Sequence, residues 1–98
     1  IKLVNTDANL LTQYADLLAM RAGNTLEGRP LAILDKALAI NPKQPEALMM
    51  VASAAYRRAD YTLAITRWET VLTVLEPGSR DAVLVSAEIA KARSKLGQ

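Results

Sequence analysis

The chain has 98 residues, enough for one domain, and 51% of them are apolar, so we expect a packed core. It contains neither cysteine nor histidine, which excludes thiol chemistry, Cys/His metal sites and nucleophiles activated by histidine. A net charge of +2 from well-mixed charges is too weak to indicate nucleic-acid binding, and we expect no nucleic-acid partner.

The N-terminal residues suggest a chain that continues upstream. Residues 1–5 are too few for an element of their own, and we expect them to form the last turn of a helix that begins earlier. We therefore interpret the sequence as an excised piece of a longer protein. Thr6 or Asp7 can cap the next helix, because a short side-chain oxygen accepts from the unpaired N–H groups of a first turn. Gly23 and Asn24 tolerate positive φ and predict where that helix ends.

Apolar residues recur in this first helix at spacings of three and four. This pattern predicts an amphipathic helix with a broad buried face. The residues expected in that face are Leu10, Leu11, Tyr14, Ala15, Leu17, Leu18 and Ala19.

Prolines predict the boundaries of the next two helices. Gly28-Arg29-Pro30 opens the second helix, because proline lacks an N–H that a first turn would leave unpaired and its φ is already helical. Asn41-Pro42 ends that helix, since the residue before proline is displaced from the α region. Pro45 opens the third helix in the same way, and Glu46 is favourably placed against the helix dipole.

The third and fourth helices form the most regular unit of the chain. Ala59-Asp60-Tyr61 predicts the turn between them, with Asp60 as the cap of the fourth helix, and Pro77-Gly78 predicts the end of that helix. The fourth helix is expected to bury Ala64, Ile65, Trp68, Val71, Leu72 and Leu75. Ser79 or Asp81 then caps a fifth helix, which would cover the exposed end of the core.

The chain repeats itself with a period close to that of a tetratricopeptide repeat. Residues 11–42 align with residues 48–77, near the 34-residue length of that repeat. This predicts an all-α, right-handed solenoid of about five helices in a single domain, 1–98. Its parts are a first repeat at 7–42, a second at 45–77 and a capping helix at 79–96.

The second unit resembles a tetratricopeptide repeat residue by residue. Ala52 and Ala64 stand at its small positions, Trp68 at its second-helix aromatic, and Pro77 one residue after its terminal proline. Ala59 occupies the turn position where the repeat usually has glycine. The first unit departs further, because its turn is about three residues longer.

That long turn, which ends in Gly28-Arg29-Pro30, and the following run LDKALAINP carry a more specific resemblance. From Asp7 to Arg93 the chain is similar to the C-terminal periplasmic domain of the c-type cytochrome biogenesis proteins. These are the haem-lyase subunits called CcmI, or CcmH in enteric bacteria, and their relative NrfG.

The resemblance implies a non-catalytic chaperone or scaffold domain without cofactors. Such domains hold apocytochrome c through its C-terminal helix in a concave groove and act with other haem lyase subunits in the periplasm. No apolar run reaches the roughly 18 residues that span a bilayer, so any membrane attachment would use a segment absent from this chain. The alternative is a generic repeat scaffold that assembles another multiprotein complex. An enzyme is disfavoured because the carboxylates are scattered, with no pair placed for acid–base catalysis.

In such repeats the first helix of each pair lines the concave groove, which gives the candidate peptide-binding residues. The first helix contributes Asn9, Thr12, Gln13, Asp16 and Met20, together with Ala19. The third contributes Glu46, Met49, Met50, Ser53, Tyr56 and Arg57. The fifth contributes Leu84 and Glu88, together with Val85 and Lys91.

Several of the candidate groove residues have an alternative role that involves no ligand. Met49 and Met50 could fill the core, Tyr56 could be a packed aromatic, and Arg57 could be only solvated. Leu84 and Val85 are adjacent, and we expect one of them to lie outside the buried face of the fifth helix.

Overall fold

The computed structural model describes residues 7–23 and 27–97, and all regular structure in these ranges is helical. The helices are α1 (Ala8–Arg21), α2 (Arg29–Ile40), α3 (Pro45–Arg57), α4 (Tyr61–Leu72) and α5 (Arg80–Lys95). The all-α architecture of five helices predicted from the sequence is thereby confirmed. The predictions made for residues 1–5, Thr6 and Asn24 lie outside the described residues.

Side-chain caps fix the starts of α1 and α5 as predicted. The Asp7 carboxylate accepts from the backbone N–H groups of Asn9 at 2.9 Å and Leu10 at 3.2 Å. The Ser79 hydroxyl, and not Asp81, accepts from the Ala82 N–H at 3.1 Å. Each bond pairs an N–H group that has no partner within its helix.

Glycine and proline set the boundaries of α2 and α3. Gly28 precedes α2 at φ 86° and ψ −128°, a backbone conformation that side chains rarely adopt, and Pro30 follows in the first turn. Asn41, before Pro42, is extended and ends α2. Pro45 is the first residue of α3.

The turn between α3 and α4 places a non-glycine residue in the left-handed region. Ala59 has φ 65°, at the position where the repeat usually carries glycine. The Asp60 N–H donates to the Ala55 carbonyl at 2.8 Å, and the Asp60 carboxylate accepts from the Leu63 N–H at 3.4 Å. The predicted turn and cap are present, with backbone strain at Ala59.

Helix α4 ends at Leu72, earlier than Pro77 predicts. The Thr73 N–H and hydroxyl both donate to the Thr70 carbonyl, at 3.1 and 2.6 Å, which closes the helix with a tighter turn. A threonine hydroxyl that bonds the preceding turn, within a run of β-branched residues, lowers helix propensity here. Leu75 therefore lies beyond the helix, although it still packs half-buried against the core.

The helices pack in chain order and form an elongated body about 45 Å long. The tightest pairs are α1 with α2 and α3 with α4, which is the arrangement of two helical hairpins. Leu34, Leu48 and Val71 are fully buried, and Trp68, at 3% exposure, is part of the core as predicted. Fully buried alanines such as Ala37, Ala52 and Ala64 lie in this core and permit close helix contacts.

The apolar stripe of α1 is only partly buried. Its inner face consists of Ala8, Leu11, Thr12, Ala15 and Ala19. Leu10, Tyr14 and Leu17, predicted to be core, are 39%, 37% and 48% exposed because the packing of α2 buries only one side of the helix. Tyr14 instead accepts a hydrogen bond from the Arg29 guanidinium at 3.1 Å, and that group lies 5.9 Å from its ring centroid.

Candidate peptide-binding groove

A groove runs between α1 and α3. Toward the N-terminal ends of both helices it is lined by Asn9, Thr12, Gln13, Asp16, Glu46, Met49 and Met50. Toward their C-terminal ends it is lined by Asp16, Ala19, Met20, Met49, Met50, Ser53 and Arg57. Asp16, Met49 and Met50 belong to both sections, so the groove is continuous and the two helices run in the same direction along it.

Helical periodicity explains why these side chains share one surface. Residues spaced i, i+4, i+7 and i+11 return to one face of an α-helix. On α1 this series is Asn9, Gln13, Asp16 and Met20. On α3 it is Glu46, Met50, Ser53 and Arg57. The two walls therefore present matching series, as the sequence predicts.

All three methionines of the chain line this groove. Met20 is 60% exposed, whereas Met49 and Met50 are half-buried and pack against the core cluster. The two α3 methionines thus act both as core and as groove floor, which combines the two roles considered for them. Flexible thioether side chains adapt to apolar partners of irregular shape.

The charged side chains of the groove are separated along its length. Asp16 and Glu46 are acidic, and the Glu46 carboxylate accepts a hydrogen bond from the buried Gln44 amide at 3.0 Å. Arg57 lies at the far end of the same face of α3, about 16 Å away for eleven residues of helix. Glu46 therefore lies toward one end of the groove and Arg57 toward the other, and Asp16 lines both sections.

Thr12 lines the groove without offering its hydroxyl to a ligand. The residue is only 3% exposed, and its hydroxyl donates to the Ala8 carbonyl at 2.7 Å. Thr12 therefore lines the groove, as its spacing predicts, while its hydroxyl is already paired within α1.

Tyr56 is not among the residues that line the groove. It is half-buried between α3 and α4, and its ring centroid lies 5.3 Å from that of Tyr61 and 5.9 Å from that of Trp68. The alternative of a packed aromatic is therefore the one observed. Helical spacing alone cannot distinguish a groove position from a packed one here, since Tyr56 is next to the groove-lining Arg57 in sequence but packs toward α4.

The fifth-helix candidates also lie away from the groove between α1 and α3. Leu84 is 54% exposed and Val85 is 4% exposed, so one of the two, Leu84, lies outside the buried face, as expected. Glu88 pairs with Lys91 at 3.1 Å on the surface of α5. Helix α5 packs on α4, and none of these residues lines the groove between α1 and α3.

Sequence reasoning missed the outer wall of α1. Tyr14 and Leu17 join Gln13, Asp16 and Met20 around a shallow depression that adjoins the groove. The apolar spacing of α1 predicts both residues to be core. The sequence feature that indicates their exposure is the width of the apolar stripe, because the stripe is wider than one neighbouring pair of helices can cover.

Within residues 7–23 and 27–97 we find no cluster of three or more acidic side chains able to hold a metal ion. Nor is any helix in this part of the chain both long and apolar enough to cross a membrane.

Comparison with known proteins connects this fold to a specific relative. No known family model matches the chain. It is 32% identical over 92 residues to NrfG, a subunit of the formate-dependent nitrite reductase complex of Escherichia coli O157:H7. The match covers 93% of this chain but only 46% of NrfG, so the chain spans about half the length of that relative.

A solved structure supports the fold independently. The crystal structure of a YfrE protein from Vibrio parahaemolyticus superposes with a TM-score of 0.72, covering 91% of this chain and 97% of that one, at 24% identity. At that identity the similarity concerns the fold alone. The sequence match and the paired helices together confirm the resemblance drawn from the repeat and its long first turn. The chain is thus a tetratricopeptide-like helical-repeat domain related in sequence to NrfG.

Proposed function

We propose that this domain is a non-catalytic peptide-binding scaffold of c-type cytochrome maturation. It holds a helical C-terminal segment of apocytochrome c in the groove between α1 and α3. The carrying observation is that all three methionines line one continuous groove formed by matching faces of two helices. A groove of this kind suits the apolar face of an amphipathic helix.

The similarity to NrfG supports the choice of cytochrome maturation, since that relative belongs to a nitrite reductase complex. In this proposal the domain acts in the periplasm and cooperates with other haem lyase subunits. Its role is to keep an unfolded client accessible, and no residue of the chain takes part in haem attachment.

Calorimetry with synthetic peptides tests the proposal. Peptides from the C-terminal helices of several c-type apocytochromes are titrated into the domain, and micromolar or tighter binding is expected. Scrambled peptides of the same composition are the control, because scrambling removes the apolar face while keeping charge and length. Binding by none of the cytochrome peptides would contradict the proposal.

A second candidate is a scaffold for another multiprotein complex, which the exposed side chains of α5 favour. Val83 and Leu84 are 60% and 54% exposed on that helix, away from the methionine groove. A scaffold joining two subunits would use both surfaces. Affinity capture from periplasmic extract by the wild-type domain and by a Leu84→Ser variant distinguishes the two. If the Leu84→Ser variant fails to capture proteins that the wild-type domain captures, the scaffold is favoured.

A further inference from the structure

The charges at the two ends of the groove specify more about its ligand than apolar character does. Glu46 and Arg57 belong to one face of α3, separated by about three helical turns. Asp16 lies on the opposite wall and lines both sections of the groove. The three methionines occupy the space between and around these charges.

The acidic end is a built feature. The Gln44 side chain is 8% exposed and donates its amide to the Glu46 carboxylate at 3.0 Å. This contact restrains the orientation of Glu46 while leaving the residue exposed at the groove. A restrained carboxylate loses less conformational entropy when a cation binds it.

We infer, building on the proposed function, that the ligand is a bipolar amphipathic helix. It carries a basic side chain near Glu46, an acidic side chain near Arg57, and apolar side chains on the methionines between them. The two charged side chains lie about eleven residues apart, because that spacing matches the separation of Glu46 and Arg57 on α3. Electrostatic complementarity of this kind fixes which helix binds, and in which register, more than it raises affinity.

A set of four peptides tests the inference. All share one apolar face, have blocked termini, and differ only at two positions eleven residues apart: Lys/Glu, Lys/Lys, Glu/Glu and Gln/Gln. Affinities are measured by calorimetry at low and high salt. Methyl-labelled methionine NMR reports groove occupancy directly, since every methionine of the chain lines the groove.

We expect the Lys/Glu peptide to bind roughly fivefold more tightly than the Gln/Gln peptide, as two solvent-exposed ion pairs together would give. The advantage should shrink at high salt, because exposed charges are screened. With Arg57→Gln, the Lys/Glu peptide should lose its advantage over the Lys/Lys peptide, because the arginine that pairs with the peptide glutamate is gone. With Arg57→Glu, the Lys/Lys peptide should become the preferred ligand.

Arg58→Gln is the matched control. Arg58 is the next residue, outside the groove lining, and pairs with Glu27 at 3.4 Å. It should leave the peptide preference unchanged. Because Glu46 and Arg57 also complement the dipole of α3, the melting temperature of each variant is measured before its affinity.

The outcomes separate this inference from the proposed function. If no peptide shifts the methionine methyl signals, the groove is not a peptide site and both fail. If all four peptides bind equally, the bipolar ligand is wrong and the peptide-binding groove stands. A Lys/Glu peptide that in Arg57→Gln keeps its full wild-type advantage over the Lys/Lys peptide would likewise overturn the inference.

Discussion

Tyr56 packs edge-on against Tyr61, with ring centroids 5.3 Å apart and ring planes inclined by 68°. Trp68 completes the cluster at 5.9 Å from Tyr56. The three rings belong to α3 and α4, so they join the two helices of the second repeat. An aromatic position that helical spacing assigns to the groove is therefore a packing position.

Replacing Tyr56 by alanine should lower stability more than it lowers peptide affinity. The half-buried ring makes two aromatic contacts, and we expect a loss of about 2 kcal/mol in the free energy of unfolding. Tyr56→Phe keeps both ring contacts and should change stability by less than about 0.5 kcal/mol. Urea denaturation measures both variants, and an unaltered Tyr56→Ala midpoint combined with lost peptide binding would restore the groove assignment.

Ala59 offers a prediction of opposite sign. Its φ of 65° strains a residue that has a Cβ, and glycine removes that strain. Ala59→Gly should therefore stabilise the domain by about 0.5–1 kcal/mol, despite the greater freedom of glycine in the unfolded chain. The matched control is Ala87→Gly, exposed in the middle of α5, which should cost about 1 kcal/mol. Melting curves in which both substitutions destabilise would contradict the left-handed turn.

Local signals predicted most of the fold because each acts over a few residues. Asp7 and Ser79 cap their helices, and Pro30 and Pro45 stand in first turns, as their chemistry requires. Pro77 predicts a later end for α4, because proline is a strong helix terminator. The β-branched residues before it disfavour the helix less strongly, but they come earlier in the chain and the helix ends there.

The candidate site was predictable only as far as helical periodicity reaches. Helical spacing predicts that Asp16, Met20 and Arg57 lie on the groove, and all three line it, while their part in peptide binding stays a prediction. It could not tell whether a neighbouring helix covers a residue at the margin of that face. Tyr14 is exposed and Tyr56 is packed for this reason, and both depend on the positions of other helices.

A substitution at Thr12 tests whether a residue that lines the groove also makes a polar contact with the peptide. Its buried hydroxyl is occupied by the Ala8 carbonyl, so Thr12→Val should leave peptide affinity unchanged. The Ala8 carbonyl remains part of the helix, and stability should change by about 1 kcal/mol at most. Gln13→Ala provides the contrast, because Gln13 is exposed and lines the same section. A Thr12→Val variant that loses affinity in calorimetry would mean that the hydroxyl changes partners on binding.

Met20 and Leu84 form a matched pair that locates the ligand. Both are exposed apolar side chains on helices, at 60% and 54%, so truncation of either to alanine should change stability by no more than about 0.5 kcal/mol. Only Met20 lines the groove between α1 and α3, and Met20→Ala should weaken peptide binding by roughly 1 kcal/mol, a fivefold change. Leu84→Ala should bind as the wild type does. Equal losses in the two variants would place part of the ligand on α5, because a helix confined to the methionine groove cannot contact Leu84.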